Sequence, residues 1–333
     1  MVDLNQQVTS LVIGDAMVDR YYYGTTSRIS PEAPIPILDV VRQTNLPGGA
    51  ANVAATLSDL KAIVHFLSVV GNDPDGIMLT NMLANHQIPK DDIITTNDRP
   101  TTVKQRFISK NRHLLRVDVE QTDNINTEDE KRVLENFHAI MTKSKPNVVI
   151  LQDYNKGLLT KNIIRNIIDT CNAASVKVCV DPKKNNFDTY HDVFLFKPNE
   201  KEFNDFMFAG KTASDKNHDD EAVLKQHVVD FQNKMHINNI LLTRGDKGMV
   251  LFKDYGATIV EIEAKKRHVV DVTGAGDTVI SVMAYLIALN CDIEKAAAIA
   301  NIAGGMTCEK VGVTTLTLEE LITELKKFDI TLQ

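Results

Sequence analysis

The run Val269-Val-Asp-Val-Thr-Gly-Ala-Gly-Asp-Thr278 leads straight into an apolar helical stretch. Gly274 and Gly276 flank a small residue at the start of that helix, and glycine lets a ligand approach the backbone closely. Free amides at a helix N-terminus point at whatever sits there, and the helix dipole favours an anion. A phosphoryl group in transfer is such an anion. Asp277 stands at this anion hole, where a carboxylate can accept a proton from an attacking hydroxyl. The plain alternative is a glycine turn with Asp277 as a helix cap. Two rival glycine motifs are absent. Position 279 is Val where a dinucleotide fingerprint needs glycine, and no G-x-x-x-x-G-K-[ST] occurs.

A second group lies near the N-terminus. Gly14-Asp-Ala-Met-Val-Asp-Arg20 follows the first apolar run, and Pro47-Gly-Gly-Ala-Ala-Asn52 opens the first large helix. In open α/β sheets the C-terminal ends of strands face the ligand crevice. Asp19 can accept hydrogen bonds from sugar hydroxyls. Gly48 and Gly49 let a polyol approach the backbone, and Asn52 both donates and accepts. The alternatives are a turn aspartate and a loose helix start.

The elements that must hold these residues alternate along the chain. Thr9–Gly14, Ile63–Val70, Asn147–Leu151, Val176–Val180, Val193–Phe196 and Ile240–Thr243 read as buried strands. Helical patterns fall at 50–60, 74–87, 127–142, 160–173, 199–208, 217–235, 275–289, 292–307 and 317–327. That order predicts an α/β fold, a doubly wound, mostly parallel sheet with helices on both faces. Thr127 before Glu130 and Thr317 before Glu320 fit capping boxes. Two stretches break the rhythm, about 20–46 and about 100–120. Both alternate like half-exposed strands, and Pro34 and Pro36 suit an edge. They predict a small β-sheet lid on one main domain spanning 1–333. Tyr21, Tyr22 and Tyr23 alternate faces there, and packing of lid on body is the preferred role.

Composition narrows the classes. The 333 residues are 43% hydrophobic and 24% charged, ordinary for a globular chain and too mixed for disorder or a coiled coil. A net charge of −7 argues against a general nucleic-acid binder. No apolar run approaches the roughly 20 residues of a membrane helix, and no secretory signal opens the chain. Cys171, Cys179, Cys291 and Cys308 form no C-x-x-C pair, and nine histidines form no H-E-x-x-H. Reduced thiols in a cytoplasmic protein are the expectation.

The early G-D-x-x-x-D and P-G-G-A-A-N-V-A, with the late D-V-T-G-A-G-D-T, resemble the ribokinase (PfkB) family of sugar kinases, in order and separation, over nearly the whole chain. Asn199-Glu-Lys-Glu202 matches the family's N-x-x-E motif, and Thr243-Arg-Gly245 and Asp181-Pro-Lys183 have counterparts. Gly14–Tyr21, Thr26–Pro34, Leu114–Asp118 and Asp153–Leu158 are most similar to the branch that acts on D-glycero-β-D-manno-heptose 7-phosphate. That branch is fused to an adenylyltransferase in many bacteria. No H-x-G-H motif follows here, so a stand-alone kinase or kinase half is expected, with a separate adenylyltransferase as a candidate partner.

The resemblance implies a ribokinase-like fold and transfer of the γ-phosphate of ATP to a sugar hydroxyl. Asp277 matches the general base, and the amides of Gly274, Ala275 and Gly276 match the anion hole. Asn199 and Glu202 would hold waters of Mg²⁺. Thr243, Gly245 and Asn301 match nucleotide-contacting positions, with Lys156 added to that set; Lys156 and Lys183 are also candidates for phosphate contacts. Asp271 and the Thr273 carbonyl would be ligands of a monovalent cation such as K⁺. Lys104 and Arg106 share a strand face, and with Arg116 on the next arm they would clamp a sugar phosphate. A solvated basic edge is the alternative. Family lids often meet across a homodimer, which would make Ile35, Ile37 and Val40 interface residues. Other expected readings are a sister kinase for ribose, a fructose phosphate or a nucleoside, and a non-catalytic sugar-binding regulator on the same fold.

Overall fold

Alternate residues of the central strands go to opposite faces, as a period of two requires. Leu11, Ile13, Val149 and Leu151 are buried in one apolar cluster, and Val12, Val148 and Ile150 in another. The sheet that carries them is therefore covered on both sides. In the computed structural model, which describes residues 4, 6–110, 112–209 and 221–330, the strands are β1 (Thr9–Gly14), β2 (Ala16–Ile29), β3 (Pro36–Gly49), β4 (Ile63–Gly71), β5 (Ile93–Thr96), β6 (Thr102–Ser109), β7 (Arg112–Val119), β8 (Val148–Gln152), β9 (Lys177–Asp181), β10 (Leu195–Phe196), β11 (Asn239–Thr243), β12 (Met249–Lys253) and β13 (Thr258–Ile262). The helices are α1 (Ala50–Asp59), α2 (Pro74–Asn85), α3 (Thr127–Ser144), α4 (Lys161–Ala173), α5 (Glu200–Met207), α6 (Glu221–Lys234), α7 (Ala275–Ala288), α8 (Ile293–Thr307) and α9 (Leu318–Lys326). Residues 217–220 of the expected 217–235 helix lie outside the described residues.

Among the described residues, nine strands form the main sheet in the order β13-β12-β11-β10-β9-β8-β1-β4-β5. Pairing is parallel from β11 across to β5 and antiparallel only at β11–β12 and β12–β13. The hairpin of β12 and β13 and the short β5 add to the strands expected from sequence. Residues of α1, α2, α7, α8 and α9 pack one face, and residues of α3, α4, α5 and α6 pack the other.

A second sheet has the order β3-β2-β6-β7. It begins almost as β1 ends, since β2 starts at Ala16, and it returns to the body where β3 ends at Gly49 beside α1. The lid strands thus reach further toward the body than the expected bounds of 20 and 46. Pro36 opens β3 at the sheet's edge, where a missing amide costs no ladder bond. Tyr21 is fully buried, and its hydroxyl accepts from the Val313 amide at 3.3 Å. Tyr22 faces the other way and stacks on Phe107.

The Thr317–Glu320 capping box forms at α9. The one expected at Thr127 does not. Asn126 caps α3 instead, its side chain accepting from the Asp129 amide, because asparagine is a strong cap and sits one residue earlier.

Candidate active site

Helix α7 opens on Gly274 in the left-handed region, at φ 84°. A Cβ there would also lie 3.3 Å from the Asn52 amide nitrogen, so glycine suits both the backbone and the space. The Ala275 amide donates to the Val272 carbonyl at 3.3 Å. Among the described residues, no acceptor takes the amides of Gly274, Gly276 or Asp277. The amides of Gly274 and Gly276, two of the expected three, are therefore free, and so is that of Asp277, while that of Ala275 makes a long bond within the turn.

Asp277 is 5% exposed, and its carboxylate meets three donors. Oδ1 accepts from the Tyr154 hydroxyl at 2.6 Å and from Gln152 Nε2 at 3.1 Å. Oδ2 accepts from Asn52 Nδ2 at 3.0 Å. Asn52 comes from α1 and Gln152 ends β8, so the helix and strand meet here at the sheet's C-terminal edge. The side-chain oxygen of Asn52, Oδ1, is buried and has no partner among the described residues. Burial pushes the Asp277 carboxyl up to about 6, and the bonds from Tyr154 and Asn52 hold it from rising further. Such a group is ionised at pH 7 and still basic enough to take a proton.

Behind it runs a buried polar chain. Gln152 Nε2 also reaches Asp181 Oδ2 at 3.0 Å, and Lys197 Nζ pairs with the same oxygen at 3.1 Å. Lys197 Nζ lies 3.6 Å from where a Cβ on Gly276 would stand, so a cation borders these free amides. Lys183 pairs with Glu202, and its Nζ sits 5.3 Å from the Tyr154 ring centre. Burial opposes charge on Lys183, but Asp181 and Glu202 outweigh it and raise its pKa.

Three of the lid's basic residues, Lys104, Arg106 and Arg116, share one face. In register, Asp19 stands beside Lys104, Lys104 opposite Asp118, and Arg106 opposite Arg116. Lys104, Arg106 and Arg116 each already have a carboxylate. Arg106 pairs with Asp19, Lys104 with Asp118 and Glu120 at 3.4 and 3.6 Å, and Arg116 with Asp118 at 2.9 Å. Lys156 pairs with Glu120 at 2.8 Å, which puts it in this lid cluster. Gly48 lies against Asp19; a Cβ on it would stand 2.1 Å from Asp19 Oδ2. Gly49 follows at φ 57° and caps α1.

Three of the nucleotide candidates, Asn199, Thr243 and Gly245, lie at the ends of β10 and β11, where Asn199 bridges Thr243 and the space around Gly245 is open. Asn199 and Glu202 form a capping box with each other at α5. Asn301 donates to the Glu263 carbonyl at 2.8 Å, tying α8 to the segment after β13. Asp271 accepts from the Thr273 amide and hydroxyl on one oxygen and from the Gly312 amide on the other. Burial works against its charge, but these bonds win and hold its carboxyl below the usual range. Of the lid residues expected at a dimer interface, Ile35 and Val40 are exposed and Ile37 is half-buried.

Sequence reasoning missed Gln152 and Lys197 and gave Tyr154 no role. A polar side chain ending an apolar strand at its ligand-facing end was the available signal for Gln152. A lysine directly after the buried Leu195-Phe196 was the one for Lys197.

The model of the pfkB family of carbohydrate kinases matches residues 9–321. The chain belongs to that family. Among curated proteins, it is 36% identical over 318 residues to Bifunctional protein HldE of Aliarcobacter butzleri, covering 96% of this chain and 64% of that protein. It is 38% identical over 313 residues to Bifunctional protein HldE of Vibrio parahaemolyticus, covering 93% and 62%. The chain thus spans a little under two thirds of the length of these relatives. Among solved structures, phosphofructokinase-2 from Escherichia coli, in complex with substrates and products, aligns at a TM-score of 0.78 and 14% identity, over 97% of this chain and all of that one. Ribokinase of Arabidopsis thaliana, complexed with ribose and ATP, aligns at 0.71 and 18%, over 96% and 99%. At these identities the likeness establishes a ribokinase-like fold. As a pfkB member the chain is a carbohydrate kinase. No helix among the described residues is long and apolar enough to cross a membrane.

Proposed function

We propose that this pfkB kinase uses ATP to phosphorylate the anomeric hydroxyl of D-glycero-β-D-manno-heptose 7-phosphate, giving the 1,7-bisphosphate for ADP-heptose and lipopolysaccharide core synthesis. The observation that carries the chemistry is the buried Asp277 carboxylate, pushed to about 6, beside free amides at the start of α7. The sugar oxygen attacks the γ-phosphorus as Asp277 takes its proton. A new O–P bond forms, the bond to the β-phosphate oxygen breaks, and ADP leaves. The amides and the bordering Lys197 stabilise charge on the transferring group. The unpaired Asn52 Oδ1 would accept from a sugar hydroxyl.

Among the described residues, no group of three or more His, Cys, Asp or Glu could hold a metal ion. Mg²⁺ carried on nucleotide phosphates and keeping its waters would neutralise phosphate charge. Asn199 and Glu202, already bonded to each other, suit contacts to such waters. Asp271, with its carboxyl held ionised, and the Thr273 carbonyl suit K⁺.

The heptose reading is supported by the identity to the HldE proteins over the kinase-length part of those chains, and by Lys104, Arg106, Arg116 and Lys156 on the lid side. A second reading, a pfkB kinase for a neutral sugar, is favoured by the pairing of each of those cations with a carboxylate. The lid's other face exposes Leu115, Val117 and Val119, which supports a homodimer through the lid. A separate adenylyltransferase would complete the activities of the bifunctional relatives. The test is ADP release with Mg-ATP against both anomers of heptose 7-phosphate, sedoheptulose 7-phosphate, fructose 6-phosphate, fructose 1-phosphate and ribose. Turnover confined to heptose 7-phosphate is expected, and Asp277→Asn should lower it by roughly 10²–10⁴. Turnover on ribose alone would replace the heptose reading with the second one. Sugar binding with no turnover on any member would favour a regulator.

A further inference from the structure

The donors around Asp277 are unequally shared between its two oxygens. Each carboxylate oxygen offers two in-plane acceptor positions. Oδ1 has both filled, by Tyr154 and Gln152, and Oδ2 has one filled, by Asn52. We infer that Tyr154 is a positioning residue for the proton transfer: with Gln152 it saturates Oδ1, so that Oδ2 is the atom that takes the acceptor proton. This rests on the reading of Asp277 as the base.

Tyr154 is held for that task from several sides. Asp15, 3% exposed, accepts from the backbone amides of Tyr154 at 2.9 Å, Lys156 at 3.0 Å and Leu158 at 3.2 Å. These bonds pin the loop after β8 in a shape with Asn155 and Gly157 at positive φ. Lys183 stands over the ring. The first acidic residue of the G-D-x-x-x-D motif therefore acts on the loop that orients the base. The phenol stays protonated, because burial and the neighbouring Asp277 push its pKa well above the usual value. It is thus a fixed donor. A donor to a carboxylate favours the ionised form, so its loss raises the pKa of the base. The other charged groups that bear on the pair are Asp181 and Lys197 behind Gln152, Lys183 over the ring, and Asp19 from the lid. All of these remain in a Tyr154→Phe variant.

The experiment compares pH–rate profiles of wild type, Tyr154→Phe and a protein carrying 3,5-difluorotyrosine at position 154. Tyr154→Phe keeps the ring and is expected to lower kcat roughly tenfold at pH 7, the scale of a lost hydrogen bond to a charged group. The KM for ATP should stay unchanged. The acid limb of its profile should move to higher pH, so the deficit narrows as pH rises. The fluorinated residue is the stronger donor and should move that limb to lower pH with the fold intact. Unshifted limbs in both proteins, with Asp277→Asn inactive, would overturn the role of Tyr154 and leave the base in place. A fall in kcat with no movement of either limb would make Tyr154 merely structural and overturn it as well. Wild-type turnover by Asp277→Asn would remove the base reading itself.

Discussion

Burying a carboxylate that is ionised at neutral pH costs stability. The Asp277 carboxyl sits at about 6 in the folded chain against 3.8 as an ordinary aspartate. Its folded pKa is therefore raised. The ionised form destabilises the fold above that value, and the penalty disappears as pH falls toward the unfolded pKa. Two units correspond to roughly 3 kcal/mol at neutral pH. Asp277→Asn should accordingly be more stable than wild type at pH 7.5, by roughly 1–3 kcal/mol in urea melts. The advantage should shrink between pH 6 and pH 4 as the wild-type carboxyl takes its proton. Equal stability at both pH values would mean the group is not buried as a charge. On the proposed role of Asp277 as the base, kcat/KM for the sugar should fall as pH drops below about 6.

At the scale of elements, the lid and α1 meet at a point where there is no room for a side chain. Gly48, the residue before the end of β3, lies against Asp19, and a Cβ there would stand 2.1 Å from Oδ2 and 2.9 Å from Cγ of that carboxylate. Asp19 is held on its other oxygen by Arg106. Gly48→Ala must therefore displace Asp19 and disturb the Arg106 pair. The expected result is a rise in sugar KM of roughly tenfold or more, the scale of a disturbed charged hydrogen bond, with the KM for ATP spared. Equal changes for both substrates would show that the lid junction does not define the sugar side. Gly48 was legible as a candidate from its motif. That its neighbour is the carboxylate of Asp19 was not, because 28 intervening residues make the whole β2–β3 excursion before the chain returns.

At the scale of the molecule, two sheets divide the work. The large sheet presents Asp277, Gln152, Asp181 and Asn199 at the C-terminal ends of its strands and the helix starts beside them. The lid turns Asp19, Lys104 and Arg106 to one side and leaves apolar Leu115, Val117 and Val119 exposed on the other. An apolar strand edge and face of this kind is an aggregation hazard unless something covers it. The proposed lid-to-lid dimer would cover it. Sedimentation over a concentration series should give twice the 37.0 kDa chain mass, and Val117→Lys should lower that mass. A single 37 kDa species at every concentration would remove the dimer.

The sequence by itself determined the local matters. Period-two apolar runs fixed which residues of β1 and β8 enter which core, and the Gly274-Ala-Gly-Asp277 spacing put a carboxylate in the first turn of a helix. The separation of Lys104 and Arg106 put them on one strand face. These follow from backbone periodicity, which acts over a few residues. Tertiary structure alone decided the rest. Asn52 and Asp277 are 225 positions apart, and Gln152 and Asp277 are 125 apart. No local period relates such residues; only the parallel order of β8, β1 and their covering helices brings them together. The same long-range packing decided that the lid's cations have carboxylate partners, and that Tyr154 faces Asp277.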